Sequence, residues 1–463
     1  MAKRNSSRSC DTSRSHKKTQ SQIRVVDKST SNRTRARDQK RKRDLKRKYR
    51  IRRISLGLIG LFLVILIGRT ISHALNTYKV KGYPEFRDEV LDAMGSDVFI
   101  ASSEGRSLST AEKVTDFDNL YKIIQRNYAV DSNNINDFNE FTNKYNDFRK
   151  KVYTSKTDQE YLNILNQYLD VLDDIRTFII DKETYDSLFN YHRNQNNDYR
   201  RSVLENPQAV DRYKRLINQS NKRKPSMDIS IEKEQILRIS LPDFKPDEFK
   251  DDIKKINDAL TQGQQITTIL LDLSDNDSID DVYKNKLLEI LVHDDYKESN
   301  LVFYRGKLAS TTLSSIKESK NNYYSTAHVK NDARKYANDL ESINLDDYMY
   351  YDELTLDIKK DVEYSNRNIY VLTNANTANE AIKLAEILKQ NGAYVVKNGF
   401  DTATTYKEVI YNIPSELYVL EHSGLVLSLN AAYSKNEEDN RYLTYDQKIN
   451  SKDPITSMLN IIN

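Results

Sequence analysis

Two stretches hold the residue types that could do chemistry. One is the turn Thr373-Asn374-Ala375-Asn376-Thr377-Ala378-Asn379, set between an apolar run and a helical repeat. The other is the segment Asp272-Leu273-Ser274-Asp275-Asn276-Asp277-Ser278-Ile279. A sharp strand-to-helix turn sets the first helical residues beside a helix N-terminus, where backbone N–H groups and the dipole favour an anion. Many acyl-transfer enzymes seat a nucleophile at such an elbow. The aspartate-rich segment invites a calcium reading through Asp275, Asn276, Asp277 and Asp280. It lacks the glycine and terminal glutamate of an EF-hand loop, and no metal is expected there. The histidines, His16, His73, His192, His293, His328 and His422, show no ligand spacing, which leaves a zinc hydrolase unsupported. No cofactor motif is present.

The elements that must position these residues follow from hydrophobic periodicity. Ile369, Val371 and Leu372 predict a strand over 369–372. Ala378, Ala381, Ile382, Ala385 and Leu388 predict a helix over 377–390, stopped by Asn391-Gly392, with a second strand over 394–397. By pattern alone this is a β-α-β unit of an α/β domain. Upstream, ILRIS at 236–240 and ITTILLDL at 266–273 read as strands, the second of the buried parallel type. Between them a helix starts near Pro246 with Phe249, Ile253, Ile256 and Leu260 on its apolar face. Residues 80–205 carry three helical faces, led by Phe117, Phe138 and Tyr161, and predict a small bundle. Residues 206–225, with Pro207 and Pro225, read as a linker or surface helix. The α/β domain then spans 226–430. Within it, 307–365 is polar and tyrosine-rich and reads as an insertion or lid, with one helical piece near 332–340. Residues 431–463 read as a polar tail ending in a short helix.

These stretches together resemble the tail-specific (C-terminal processing) serine peptidases, in the branch without a PDZ domain. The likeness runs over roughly 110–430, in the family's order. The family's elbow reads T-A-S-A-S-E. An ungapped match back from Asn391-Gly392 puts Asn379 at the nucleophile, whereas matching on Glu380 puts Thr377 there. Neither register supplies a serine. The family's base lysine falls near Thr404, with Lys397 and Lys407 as the nearest lysines. Its oxyanion loop, D-L-R-x-N-x-G-G, corresponds to 272–279, so Ser278 and Ile279 stand where glycines turn N–H groups toward a substrate carbonyl. Its Gly-His pair corresponds to Ile175-Arg176. Between Thr177 and Ile236 there is no room for a PDZ domain.

The resemblance implies a ClpP/crotonase-like α/β peptidase domain behind a helical bundle. The departures imply catalytic impairment, and hence a protein that binds polypeptide or an envelope partner. An active serine- or threonine-type endopeptidase using Thr377 is the alternative, and it requires a base beside that hydroxyl. A surface scaffold with a vestigial cleft is the third reading.

The N-terminal segment sets the expected compartment. The chain is +4 overall; residues 1–53, with 21 Lys and Arg against 4 Asp, supply +17, leaving −13 for residues 54–463. Residues 1–53 hold too few apolar side chains to fold and are expected to be disordered. The apolar run ISLGLIGLFLVILIG and its extension over 54–75 reach the length of one membrane span. The positive-inside rule then puts the basic arm in the cytoplasm and the bulk of the chain outside. No aromatic residue interleaves the arm before Tyr49, and nucleic-acid binding is not expected. The lone cysteine, Cys10, excludes a disulfide in the exterior part. With 31 Tyr and no Trp, the composition suits an AT-rich Gram-positive bacterium.

Overall fold

The computed structural model describes residues 107–462, apart from 196–198, 219–226, 263–264, 307–323, 327–339, 349, 362–366, 401–407 and 437–440, together with 42, 46, 98 and 99. Contacts divide the chain into two units, Met1–Leu75 and Asn76–Asn463. In the first, Lys42 and Lys46 are helical and exposed. The expected basic arm and membrane span otherwise lie outside the described residues. Among the described residues no helix is long and apolar enough to cross a membrane.

In the second unit, strand β1 (Val98–Phe99) precedes a helical layer. Helix α1 (Thr110–Asn127) starts at a capping box, in which Ser109 and Glu112 satisfy each other's backbone N–H. Helices α2 (Ile135–Thr154) and α3 (Asp158–Leu169) pack on it through aromatic rings. Phe141 stacks on Tyr168 at 4.1 Å between centroids, and the Tyr168 hydroxyl donates to the Phe141 carbonyl at 2.9 Å. A single 3-10 turn, Asp170–Leu172, leads to strand β2 (Phe178–Ile179). Helices α4 (Lys182–His192), α5 (Tyr199–Leu204) and α6 (Pro207–Arg215) follow, then β3 (Ile217–Asn218), paired antiparallel with β1. The stretch read as a linker or surface helix is thus α6. It is built into the bundle, because Tyr213 is fully buried and donates to the Ile180 carbonyl.

The α/β layer is a six-stranded sheet in the order β15-β11-β10-β6-β5-β4. Its strands are β4 (Asp228–Glu232), β5 (Ile236–Ser240), β6 (Thr268–Asp272), β10 (Asn368–Asn374), β11 (Tyr394–Asn398) and β15 (Gln447–Ile449). All neighbours are parallel except β4 and β5. Helices α7 (Phe249–Gln262), α8 (Asp281–Leu291) and α9 (Asn379–Gln390) share one core with Leu237, Ile269, Val371 and Val395. The other face, with Ile236, Leu270, Leu372 and Val396, is covered by Met458 of α10 (Pro454–Ile461). The polar tail of the sequence therefore supplies a sheet strand and a covering helix.

Strands β7 (Tyr296–Tyr304), β8 (Tyr324–Thr326), β9 (Tyr350–Ile358) and β14 (Ala432–Ser434) form a second sheet in the order β14-β7-β9-β8. The segment read as an insertion or lid contributes β9, which pairs with β7 along nine residues. Its expected helical piece lies in residues outside those described. Strands β12 (Glu416–Val419) and β13 (Val426–Leu429) form a hairpin that adds β2 as its outer strand. Leu427 and Leu429 join the core of the helical layer. Register aligns Ser240, Asp272 and Leu372 across β5, β6 and β10. The loops after these strands gather at the carboxyl edge, where open α/β sheets hold their sites.

Candidate functional site

The elbow forms as the hydrophobic pattern requires, but its hydroxyl is structural. Thr377 is fully buried, donates to the Leu273 carbonyl at 2.9 Å and accepts from the Asn374 N–H at 3.0 Å. Asn374 Oδ1 lies 3.1 Å from the same oxygen. Among the described residues the groups bonded to this hydroxyl are a carbonyl, an amide N–H and an amide oxygen, none of which can take its proton.

Asn379 opens α9 at φ +49°, in the left-handed region that asparagine tolerates better than most residues. Its side chain is 1% exposed, and Nδ2 donates to the Asp277 carbonyl at 2.8 Å. The facing carbonyl fixes which amide atom is nitrogen. Oδ1 then has no hydrogen-bond partner among the described residues.

The loop between β6 and α8 meets the elbow with acceptors. The Ala378 N–H donates to the Asn276 carbonyl at 2.8 Å, and the Glu380 N–H to the Ser278 carbonyl at 3.1 Å. The helix start that sequence alone assigns to an anion is thus capped by carbonyl oxygens, which repel one. Asp275, at φ +61°, makes the turn, and its carboxylate accepts from the Asn374 and Asn376 amides at 2.8 Å each. Ser278 Oγ donates to Asp243 at 2.6 Å and accepts from the Phe244 N–H at 2.7 Å. Ile279 is buried in the core of the helical layer. The two residues at the oxyanion-glycine positions therefore anchor the loop.

No free lysine stands beside the elbow among the described residues. Lys397 is ion-paired with Glu408 and lies 5.6 Å from the centre of the Tyr445 ring; burial, then Lys448, pushes its ammonium down. Thr404 and Lys407 fall in residues outside those described. Two buried lysines that the sequence did not single out stand at α9, Lys284 against it and Lys383 within it. Lys284 holds Glu380 at 2.8 Å. Lys383 holds Glu298 and Glu386 at 2.9 Å each and Asn412 at 2.7 Å. Burial alone would push the Lys383 ammonium down, but Glu386 and Glu298 outweigh it and raise it, which keeps it charged. Arg176, at the histidine position, is 2% exposed and runs beneath the elbow. It donates to the Ile413 carbonyl at 2.6 Å and to Ser415 at 3.0 Å, reaches Glu380 at 3.5 Å, and stacks 4.5 Å from the Tyr411 ring centre.

Above this floor is an open cavity of about 380 Å³ lined by Ile175, Thr177, Phe178, Asp277, Asn379 and Tyr411, among others. A second, of about 270 Å³, shares Phe178 and Asp277 with it and continues past Asp243 and Lys245. The structure thus brings together Asn379, the aspartate loop and the residue before Arg176. It leaves Lys397 in a separate ion pair. Sequence reading missed three carboxylates on the cavity, Asp170, Asp173 and Asp174, and met the fourth, Asp277, only in weighing a calcium loop. The pair Asp173-Asp174 reads as the polar end of a helix until the fold sets it opposite the elbow. Among the described residues no group of His, Cys, Asp and Glu is arranged to hold a metal ion.

No protein-family model and no curated protein matches the sequence. Among solved structures, a lipoprotein from Streptococcus agalactiae is 17% identical with a TM-score of 0.39, covering 76% of this chain and 95% of that one. The photosystem II D1 C-terminal processing protease is 10% identical with a TM-score of 0.34, covering 73% and 93%. Mature CPAF is 10% identical with a TM-score of 0.42, covering 76% and 96%. Likeness at such identities does not extend to activity.

Proposed function

We propose that this chain is a peptidase-like binding protein of the tail-specific type, which holds polypeptide in the cleft without hydrolysing it. One observation carries this. At the position of a nucleophile stands Asn379, and the N–H that follows it is taken by the Ser278 carbonyl. Acyl transfer needs an attacking group, a base and donors for the developing oxyanion; losing an oxyanion donor costs roughly 10²–10³ in rate and losing the base roughly 10²–10⁴. Among the described residues the elbow offers no attacking group and no base, and the N–H groups of Ala378 and Glu380 are both taken by loop carbonyls. The cleft itself is open, which favours binding over a vestigial scaffold. Phe178 and Ile179, the outer strand of their sheet, line the cavities and suit an extended peptide. A threonine peptidase is disfavoured by the three bonds that hold the Thr377 hydroxyl.

The same proposal includes one membrane span at 54–75, a cytoplasmic basic arm and an exterior cleft, resting on the apolar run and its flanking charge. The envelope is then the place where a polypeptide partner is met.

The test is to mix the full chain with unfolded casein and follow both fragments and complex. Capture without fragments is expected, unchanged in Thr377→Ala. Cleavage that Thr377→Ala or Asn379→Gly abolishes would restore the enzyme.

A further inference from the structure

We infer that the outer edge of β4 is a docking site for an extended strand of another polypeptide, one in which apolar residues alternate with lysine or arginine. The site is distinct from the cleft, since no residue of β4 lines either cavity. Strand β4 ends the six-stranded sheet, and among the described residues its one neighbour is β5. Two apolar rows cross the core face of that sheet and both run out onto β4. One passes through Val395, Val371, Leu271, Ile239 and Ile229, the other through Ile369, Ile269, Leu237 and Ile231. Ile369, Ile269 and Leu237 are buried, but Ile231 is 54% exposed. A row that is dry across three strands therefore meets water at the fourth, and one more strand on that side would cover its end. The backbone is ready for it, because every second residue of an antiparallel edge turns its N–H and C=O outward.

Sheet edges that stay unpaired are commonly blunted by a bulge, a proline or a lysine. The β4–β5 ladder is unbroken over five pairs, and Asp228–Glu232 contains neither proline nor lysine. The other face of β4 sets the charge of the partner. It carries Asp228 and Glu232 on either side of Ser230. Ser230 donates to Glu232 at 2.9 Å, and neither carboxylate is ion-paired among the described residues. Arg238, opposite Ser230, is turned to Asp272 at 3.5 Å. Directly opposite residues of paired strands share a face. An added strand thus sets apolar residues against Ile229 and Ile231, cations against Asp228 and Glu232, and a small residue against Ser230. Main-chain bonds hold it, and the alternating side chains select it. A second copy of this chain is a poor occupant. Full antiparallel pairing of β4 with itself sets Asp228 of each copy against Glu232 of the other, and like charges directly opposite destabilise a pair.

The probe is the peptide Thr-Lys-Val-Thr-Val-Lys-Thr, which reads the same in both directions and so fits a parallel or an antiparallel approach. One control replaces both lysines by glutamate. The other replaces the central threonine by proline, which removes a ladder donor. Fluorescence anisotropy with the full chain reads affinity, and amide hydrogen exchange over 228–232 reads location. The lysine peptide is expected to bind about tenfold tighter than either control, its advantage over the glutamate peptide shrinking as salt rises. It should also slow exchange of β4 amides. Ile231→Lys, at an exposed position, should weaken the lysine peptide about tenfold and leave the midpoint of urea unfolding in place. Asp228→Asn with Glu232→Gln should bring the lysine and glutamate peptides to equal affinity. Binding that Ile231→Lys leaves intact, or that protects no β4 amide, overturns the inference, as does binding of no peptide by the folded chain. A sedimenting dimer that Ile231→Lys dissociates would give the edge to a second copy and overturn it as well. Casein capture should survive Ile231→Lys, so failure of this site and failure of the cleft reading are told apart.

Discussion

Replacing Glu380 by glutamine tests whether the elbow stands on buried charge. Glu380 and Lys284 are each 2% exposed, and their 2.8 Å contact is the nearest that either makes to an opposite charge. The contact of Glu380 with Arg176 is longer, at 3.5 Å, and Arg176 keeps its bonds to Ile413 and Ser415 without it. The loss should therefore fall on Lys284. Its other acidic neighbours, Asp281 and Glu386, are poor substitutes, because burial pushes both carboxyls up and Glu386 is already held by Lys383. Removing one partner of a buried pair costs about 3–5 kcal/mol, since the other stays desolvated and uncompensated. Glu380→Gln should lie at the lower end, at about 3 kcal/mol, because the amide still accepts a hydrogen bond. Lys284→Met should cost less, as Glu380 then keeps Arg176. The double variant should lose far less than the sum, with a coupling of about 2 kcal/mol. Equilibrium urea unfolding followed by tyrosine emission and far-UV dichroism reads all four proteins. A loss below about 1 kcal/mol for Glu380→Gln, or simple additivity, would refute the reasoning.

Three further outcomes are expected. Thr377→Val leaves the Leu273 carbonyl and the Asn374 N–H without their partner, so it should cost about 1–3 kcal/mol in urea unfolding, with Thr377→Ser near wild type. Gly424→Ala meets a backbone at φ +71° and a new methyl against the Gln208 carbonyl and Arg212 Cβ; about 2–4 kcal/mol should be lost, and the midpoint of thermal unfolding reads it. Burial pushes the Asp280 carboxyl up, but Arg200 and His192 outweigh it and hold the group below its ordinary range. Its ionised form then contributes stability above the unfolded value of about 3.9, and that contribution is lost as pH falls through the folded value. Asp280→Asn should accordingly cost most at neutral pH and least near pH 2, with urea midpoints across that range as the readout.

Much of the scaffold was legible in the chain, because its central strands are short apolar runs and its helices keep a steady period. The strand at Ile236–Ser240 and the helix ending at Gln390 follow from those patterns. The period was harder to see in β9. Leu354, Leu356 and Ile358 alternate there as a strand's inner face should, but they sit among acids and tyrosines that suggested a lid. Helix α9 hid a different fact. Glu380, Lys383 and Glu386 occupy the polar positions of an amphipathic helix, yet all three are buried, paired with Lys284, Glu298 and each other. Only partners from distant segments make that possible, and no local pattern announces them. The orientation of the Asn276 and Ser278 carbonyls was also beyond reach. Losing the glycines tells that N–H groups need not turn outward; it does not tell that the loop will bond to the elbow.

That bonding also bears on how such a chain could change over generations. Turning the loop's donors toward a substrate means rotating peptide planes now held by Ala378 and Glu380, each bond worth about 1 kcal/mol. It also means freeing Ser278 from Asp243 and Phe244, and pulling Ile279 from the core. Every one of these steps loses stability before any catalysis could repay it. A serine at 379 alone would gain nothing. The closed loop acts as a ratchet: binding specificity at the cleft rim is free to drift by single exposed substitutions, while a gain of hydrolysis would require several simultaneous ones.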